Sequence, residues 1–218
     1  VRRIEAADLN AGMLKMAQAK LQTEEQSGRI RFHETAIDSL PLADESVDAV
    51  MLNQVLHHLP DNAADGWPAH ANVFCEFFRV LKPGGCLIIN SCSPEQLEKG
   101  FWFYHLIPDA IRAVQEKTIG IDTLANQLKI IGFSETRQEV PLDLMLQDEA
   151  YFRADGILDP DWRRGDSIWS LVEEKTLVDV LETVSDLKQN GKLEPFMQQH
   201  DQARKTCGQV TFTITRKH

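Results

Sequence analysis

Between Val73 and Asn90 the chain switches its hydrophobic period once, and that switch leaves few folds open. Val73, Phe77, Val80 and Leu81 repeat at helical spacing, Lys82-Pro83-Gly84-Gly85 intervenes, and residues 86–90 (CLIIN) then run as a short apolar strand. A proline followed by two glycines cannot continue a helix, and glycine supplies the positive φ that a sharp reversal requires. A helix that feeds a buried strand through a tight turn is the second half of a strand–helix–strand unit, the building block of open α/β sheets.

The same alternation recurs on either side. Residues 3–9 (RIEAADL) alternate and end in an acid, and Asn10 is placed to cap a helix over 10–21 that carries Met13, Leu14, Ala17 and Leu21 on one face. Ile30 and Phe32 mark a second strand, residues 35–41 a loop, and residues 47–52 (VDAVML) a third strand, apolar enough to be covered by helices on both faces. Downstream, residues 91–106 read as a loop rich in aromatic side chains. Pro108 starts a helix with Ile107, Ile111 and Val114 inward, Asp122 caps another that Gly132 ends, and strands follow over 133–140 and 209–215. The expected class is α/β, with right-handed crossovers and ligands at the carboxyl ends of the strands. That rule gathers Asp8, the 36–38 loop and Asn53 with Gln54 around one crevice.

Residues 141–208 are too many for a loop. Leu177, Val180, Leu181, Val184 and Leu187 form one helical stripe there, Thr176 and Asp179 make a variant capping box, and Gly191 ends the helix. The expected division is a core of residues 1–140 and 209–218 with a helical insertion at 141–208. With 14 acidic residues against 8 basic ones, the insertion reads either as a solvated appendage or as a lid over a substrate crevice.

Composition narrows the function classes. A net charge of −10 without a run of Lys or Arg removes the electrostatic footprint of a nucleic-acid binder, and no apolar stretch approaches the ~20 residues of a membrane span. The 43% hydrophobic content supports a packed core in a soluble globule. Cys75, Cys86, Cys92 and Cys207 lack CxxC spacing and read as structural thiols, which points to the cytoplasm or another reducing compartment. His57, His58, His70 and Cys75 show no ligand spacing of a known metal site, so no metal is expected. A first residue Val1 leaves open a processed protein or a fragment of a longer one.

Three ordered segments then carry a resemblance: Asp8 and Met13 in ADLNAGMLKMA; Leu40, Pro41, Asp48, Val50, His57, His58 and Leu59 in LPLADESVDAVMLNQVLHHL; and Arg79–Gly85 in RVLKPGG. In that order they resemble the class I S-adenosylmethionine-dependent methyltransferases of the small-molecule type that includes the ubiquinone and menaquinone methyltransferases. The resemblance implies a Rossmann-like, doubly wound, mostly parallel sheet with an antiparallel last strand. It also implies methyl transfer from S-adenosylmethionine to a small, apolar organic acceptor. Asp8, with Leu9 beside it, would accept hydrogen bonds from the ribose hydroxyls, with a turn or helix-cap aspartate as the alternative, and Met13 would lie on the adenine face or equally be plain core. Ala36 and Ile37 align with the adenine-reading pair, where Ala36 replaces the usual Asp and Asp38 comes two positions late, so a backbone contact from Ile37 is what remains. Asn53 and Gln54 would line the methionyl end. His58, with His57 as its neighbour, is the candidate general base where the acceptor must lose a proton; a local hydrogen-bonding role is the plainer reading of the pair. Trp102, Tyr104 and His105 would line the acceptor pocket or pack insertion against core. The expected partner is a small-molecule acceptor, and a homodimer stays open.

One departure bears on everything else. The family's first strand and its glycine-rich turn do not occur in these residues, and without that strand the strands at Ile4 and Val47 would share no neighbour. The alternatives are a non-catalytic methyltransferase-like subunit or truncated isoform, and a nicotinamide oxidoreductase, which would also end its second strand in an acid but should lack the LPL, VLHHL, LKPGG order.

Overall fold

In the computed structural model, which describes residues 1–218, the chain opens with β1 (Ile4–Asp8), α1 (Ala11–Lys20), α2 (Gln22–Gln26) and β2 (Ile30–Glu34). Asn10 caps α1 as its residue type dictates, its side chain accepting from the amides of Gly12 and Met13. The face of α1 expected to be buried is mostly open: Leu14 is buried, whereas Met13 is 54% exposed. β1 and β2 pair in parallel to make a two-stranded sheet of their own.

The second sheet has the order β3-β4-β6-β5. β3 (Val47–Asn53) lies parallel to β4 (Leu81–Ser91), and β6 (Thr211–Arg216) runs antiparallel to both β4 and β5 (Arg137–Glu139). Each of the two sheets therefore ends in an open edge, at β1 and at β3, as expected where the shared neighbour is missing. The Asp48 carboxyl is held low first by the Lys82 ammonium, 2.7 Å away, and to a lesser degree by Arg2, just before β1. Burial on β3 departs from expectation. Leu52 packs inward, but Met51 is 56% exposed, because α1 and α2 pack on β1 and β2 while only the opposite face of β3 meets helices.

α3 (Pro68–Val80) feeds β4 through the Pro-Gly-Gly reversal. Gly84 adopts φ +77°, and a Cβ on Gly85 would stand 2.8 Å from the Lys82 carbonyl and 3.2 Å from that of Asp48, so both glycines are required by geometry. The first amides of α3 are satisfied from a distance: Asp61 Oδ2 accepts from the amides of Ala69 and His70, and Asp61 Oδ1 meets His70 Nδ1 at 2.6 Å. Arg79 shows why the Leu-Pro turn and the Arg-Val-Leu-Lys-Pro-Gly-Gly segment occur together. Its guanidinium grips Glu76 on its own helix and donates to the carbonyls of Leu40 and Leu42 and to Asp44, while Glu76 accepts from the Leu40 amide.

α4 (Pro94–Lys99), a 3₁₀ turn at Trp102–Leu106, α5 (Pro108–Gln115) and α6 (Ile121–Ile131) follow. The segment 91–106, expected as a loop, thus holds a helix, which Ser93 and Gln96 start with a reciprocal capping box and Pro94 at N1. Gly120, not Asp122, is the N-cap of α6; Gly132 ends it at φ +117°. The strand expected over 133–140 shrinks to β5 and a single bridge from Phe133 to Lys217, because the Ser134 hydroxyl meets Thr215 Oγ1 and the Arg216 amide and interrupts the ladder.

Between β5 and β6 lie α7 (Pro160–Arg164), α8 (Glu174–Gln189), α9 (Leu193–His200) and α10 (Arg204–Cys207), joined by 3₁₀ turns. α8 starts at Glu174 without a side-chain cap, which leaves Thr176 and Asp179 inside the helix rather than in a capping box. Gly191 takes a positive φ just past its end, as expected. Two apolar cores result. One, around Val73, Phe77, Leu87, Leu124 and Leu128, lies between the sheet and helices α3 and α6. The other joins Leu97–Val114 to the insertion around Trp102, Phe103, Tyr151, Trp169 and Val184, so the aromatic segment packs with the insertion. A buried polar knot closes the second core: Asp201 accepts from Tyr151 Oη at 2.7 Å and from Arg204 through both carboxylate oxygens, at 2.6 and 2.9 Å.

Candidate active site

A cavity of about 200 Å³ opens at the carboxyl ends of β3 and β4, where open α/β sheets hold ligands. It lies on the seam between the two cores. Leu56 and Ile119 come from the sheet-side core, Leu97, Phe101, Tyr104, Val114 and Ile168 from the other, and Leu146, Gln147 and residues 165–168 of the insertion close over it.

Gln54, one residue beyond β3, is left-handed (φ +50°). A non-glycine residue in that region stores strain of order 1–3 kcal/mol, held only where neighbours over-determine it. Here the Gln54 amide donates to the Asn90 carbonyl at 2.8 Å, and its side chain donates to Asn90 Oδ1 at 3.2 Å. Asn90 in turn donates to Asn53 Oδ1, and the Cys92 thiol donates to Gln54 Oε1 at 3.5 Å. The conformation thus aims Gln54 into the cavity and links Asn53 to it through amide side chains.

His57 and His58 both line the cavity, with ring centroids 4.1 Å apart. Burial, reinforced by the neighbouring His58, pushes the His57 imidazole down to about 4, so it is neutral near pH 7. Of the aromatic residues singled out from sequence, Tyr104 reaches the cavity. Trp102 is fully buried in the insertion-side core, with Nε1 donating to the Tyr151 carbonyl at 3.0 Å, and His105 stacks on His200 with centroids 4.2 Å apart. Sequence reasoning passed over Cys92 and Asp166. The Tyr104 hydroxyl donates to Asp166 Oδ2 at 2.8 Å, and the Ile168 amide donates to Asp166 Oδ1 at 3.0 Å.

The remaining residues singled out stand at the strand ends. Asp8 Oδ1 accepts from the Asn10 amide at 2.7 Å, which turns the chain into α1, while Oδ2 has no partner within the chain. Leu9 is 72% exposed, and Met13 stands open one turn into α1. Ala36 and Ile37 are half-buried beyond β2, and the Ile37 amide donates to nothing within the chain. A free carboxylate oxygen can accept from ribose hydroxyls, an unpaired amide can donate to a ring nitrogen and an exposed thioether can lie against an aromatic face, so the residue types suit a nucleoside.

Comparison with known proteins points to methyltransferases. Residues 1–89 match the family model described as "Methyltransferase domain". The ubiquinone/menaquinone biosynthesis C-methyltransferase UbiE of Erwinia tasmaniensis is 24% identical over 155 residues, covering 69% of this chain and 59% of that protein. The Klebsiella pneumoniae protein of the same name is 27% identical over 158 residues, covering 70% and 58%. The chain therefore spans less than two thirds of the length of these relatives. Among solved structures, a protein of Anabaena variabilis ATCC 29413 described as a methyltransferase of an antibiotic biosynthesis pathway superposes with a TM-score of 0.73 at 17% identity, over 98% of this chain and 90% of that one. Nothing in these matches favours the nicotinamide alternative. By its ordered motifs, its Rossmann-like sheet and the match of residues 1–89 to a methyltransferase domain, the chain is similar to the class I S-adenosylmethionine-dependent methyltransferases.

Proposed function

We propose that this chain forms the acceptor-binding side and part of the cofactor side of an enzyme that methylates a small, largely apolar organic molecule. The observation that carries the reading is the seam cavity: it opens at the strand ends, beside Asn53 and Gln54, and the insertion closes over it. In this reading residues 141–208 are a substrate lid.

When bound, the family's cofactor S-adenosylmethionine supplies an electrophilic methyl group on a sulfonium. The residues of this chain contribute position and exclusion of water, which is most of what such a transfer needs. Asp8 holds the ribose hydroxyls, Ile37 the adenine ring through its amide, Met13 the adenine face, and Asn53 and Gln54 the methionyl end. Leu146 and Ile168 cover the acceptor. His58, at the cavity wall, takes a proton where the acceptor carries one to lose. The open edges at β1 and β3 leave Ile4 48% and Met51 56% exposed.

The test is calorimetric titration of the full-length protein with S-adenosylmethionine. Binding is expected, and Asp8→Asn, which keeps an acceptor for the Asn10 amide while removing the charge, is expected to weaken it about tenfold, as loss of a charged hydrogen bond does. No binding at about 1 mM cofactor, an affinity limit of ~4 kcal/mol, would instead support a non-catalytic methyltransferase-like subunit.

A further inference from the structure

The seam cavity contains one carboxylate and no Lys or Arg. Its wall is otherwise apolar or uncharged, apart from His57 and His58 at the strand-end side. Asp166 enters from the insertion, and it is tied down by the Tyr104 hydroxyl and the Ile168 amide rather than by any cation.

We propose that Asp166 is a specificity-determining residue: it selects acceptors that present an N–H or O–H donor on an apolar body, and it rejects anionic ones. The inference deepens the methyltransferase reading and rests on it only for the word acceptor; the recognition chemistry belongs to the cavity itself.

Three observations support it. First, a carboxylate keeps about four acceptor positions, and the two protein donors leave room for a ligand's donor. Second, no Lys or Arg lines the cavity to neutralise an incoming anion. The Cys92 thiol is pushed up to about 12, chiefly by burial and then by Asp166, and burial likewise lifts the Tyr104 phenol, so both stay protonated and His57 stays neutral. An anion would meet the Asp166 carboxylate with no Lys or Arg beside it, the repulsive element on which selectivity is commonly built. Third, the space suits one ring: a cavity of about 200 Å³ compares with the ~150 Å³ that an engineered apolar cavity devotes to benzene.

Burial raises the Asp166 carboxyl, against the lowering effect of the Ile168 amide and the Tyr104 hydroxyl. A donor-bearing ligand adds a third hydrogen bond to the charged form and so opposes burial.

Benzylamine, benzyl alcohol and benzoate share one apolar body and differ in the group offered to Asp166, which makes them suitable probes. Dissociation constants for the three are to be measured on the full-length protein without cofactor, alongside a separate S-adenosylmethionine titration of the same preparation. The expected order is benzylamine, then benzyl alcohol, then benzoate, with at least tenfold between first and last. Asp166→Asn keeps the Oδ1 cap on the Ile168 amide and presents an N–H to the Tyr104 hydroxyl, which then accepts, and it is expected to bring benzylamine and benzoate within about threefold of each other while leaving benzyl alcohol nearly unchanged. Benzoate binding as well as benzylamine, or an order that survives Asp166→Asn, would overturn the inference. Cofactor binding with no discrimination among the probes sinks the inference alone. Discrimination without cofactor binding sinks the methyltransferase reading alone.

Discussion

Replacing Asp201 with Ala is expected to cost about 3–5 kcal/mol of folding stability, the usual penalty for breaking a buried ion pair by removing one partner. The side chains of Asp201 and Arg204 are only 10% and 8% exposed, and the deletion strands the Arg204 guanidinium and the Tyr151 hydroxyl together inside the insertion-side core. The pair also has a pH signature. Burial pushes the Asp201 carboxyl up, but the hydrogen bonds from Arg204 and Tyr151 more than offset that, so the folded value lies below that of an ordinary aspartate. A depressed folded pKa stabilises above the unfolded value, near 4, and the contribution disappears as pH falls through the folded value. Urea denaturation at neutral pH should therefore show the full gap between wild type and Asp201→Ala, and the gap should narrow in acid below about pH 4. A gap independent of pH would mean that lost packing, not charge, dominates.

Trp102→Ala is expected to cost a similar amount, about 3–5 kcal/mol, through the cavity left in a core that cannot fully collapse. Trp102 is among the largest fully buried side chains, packs edge-to-face on Phe103 with centroids 5.5 Å apart, and anchors the Tyr151 carbonyl through its indole N–H. Because that core is packed separately from the one between the sheet and α3 and α6, the damage should be local. Hydrogen exchange should speed up in α8 and α9 and stay slow in β4 and β6; uniform acceleration would show that the two cores unfold as one unit.

Legibility from the sequence followed the range of the forces involved. Short-range chemistry was readable: Asn10 as a cap, the Pro-Gly-Gly reversal, Gly132 and Gly191 as helix ends, and the alternation that sets the fold class. The helix at Pro94 was equally local, since Ser93-Pro94-Glu95-Gln96 spells a capping box, but the run of aromatics after it drew the reading towards a loop. Strand 133–140 was overestimated because apolar alternation says nothing about a serine hydroxyl that takes over the ladder's bonds. The site was half legible. Asp8, Ile37, Asn53 and Gln54 stand at strand ends, where topology alone places them. Asp166 was out of reach, since its meaning comes from Tyr104, sixty-two positions away in sequence, and no periodic pattern encodes such a contact.

The cavity's place on a seam has a consequence for how this scaffold can diversify. One wall belongs to the strand ends and the sheet-side core; the other belongs to the insertion-side core, a separate apolar cluster. Substitutions at Leu146, Gln147 or Ile168 can therefore reshape the cavity while the sheet-side cluster keeps its own contacts, so the two walls can vary separately.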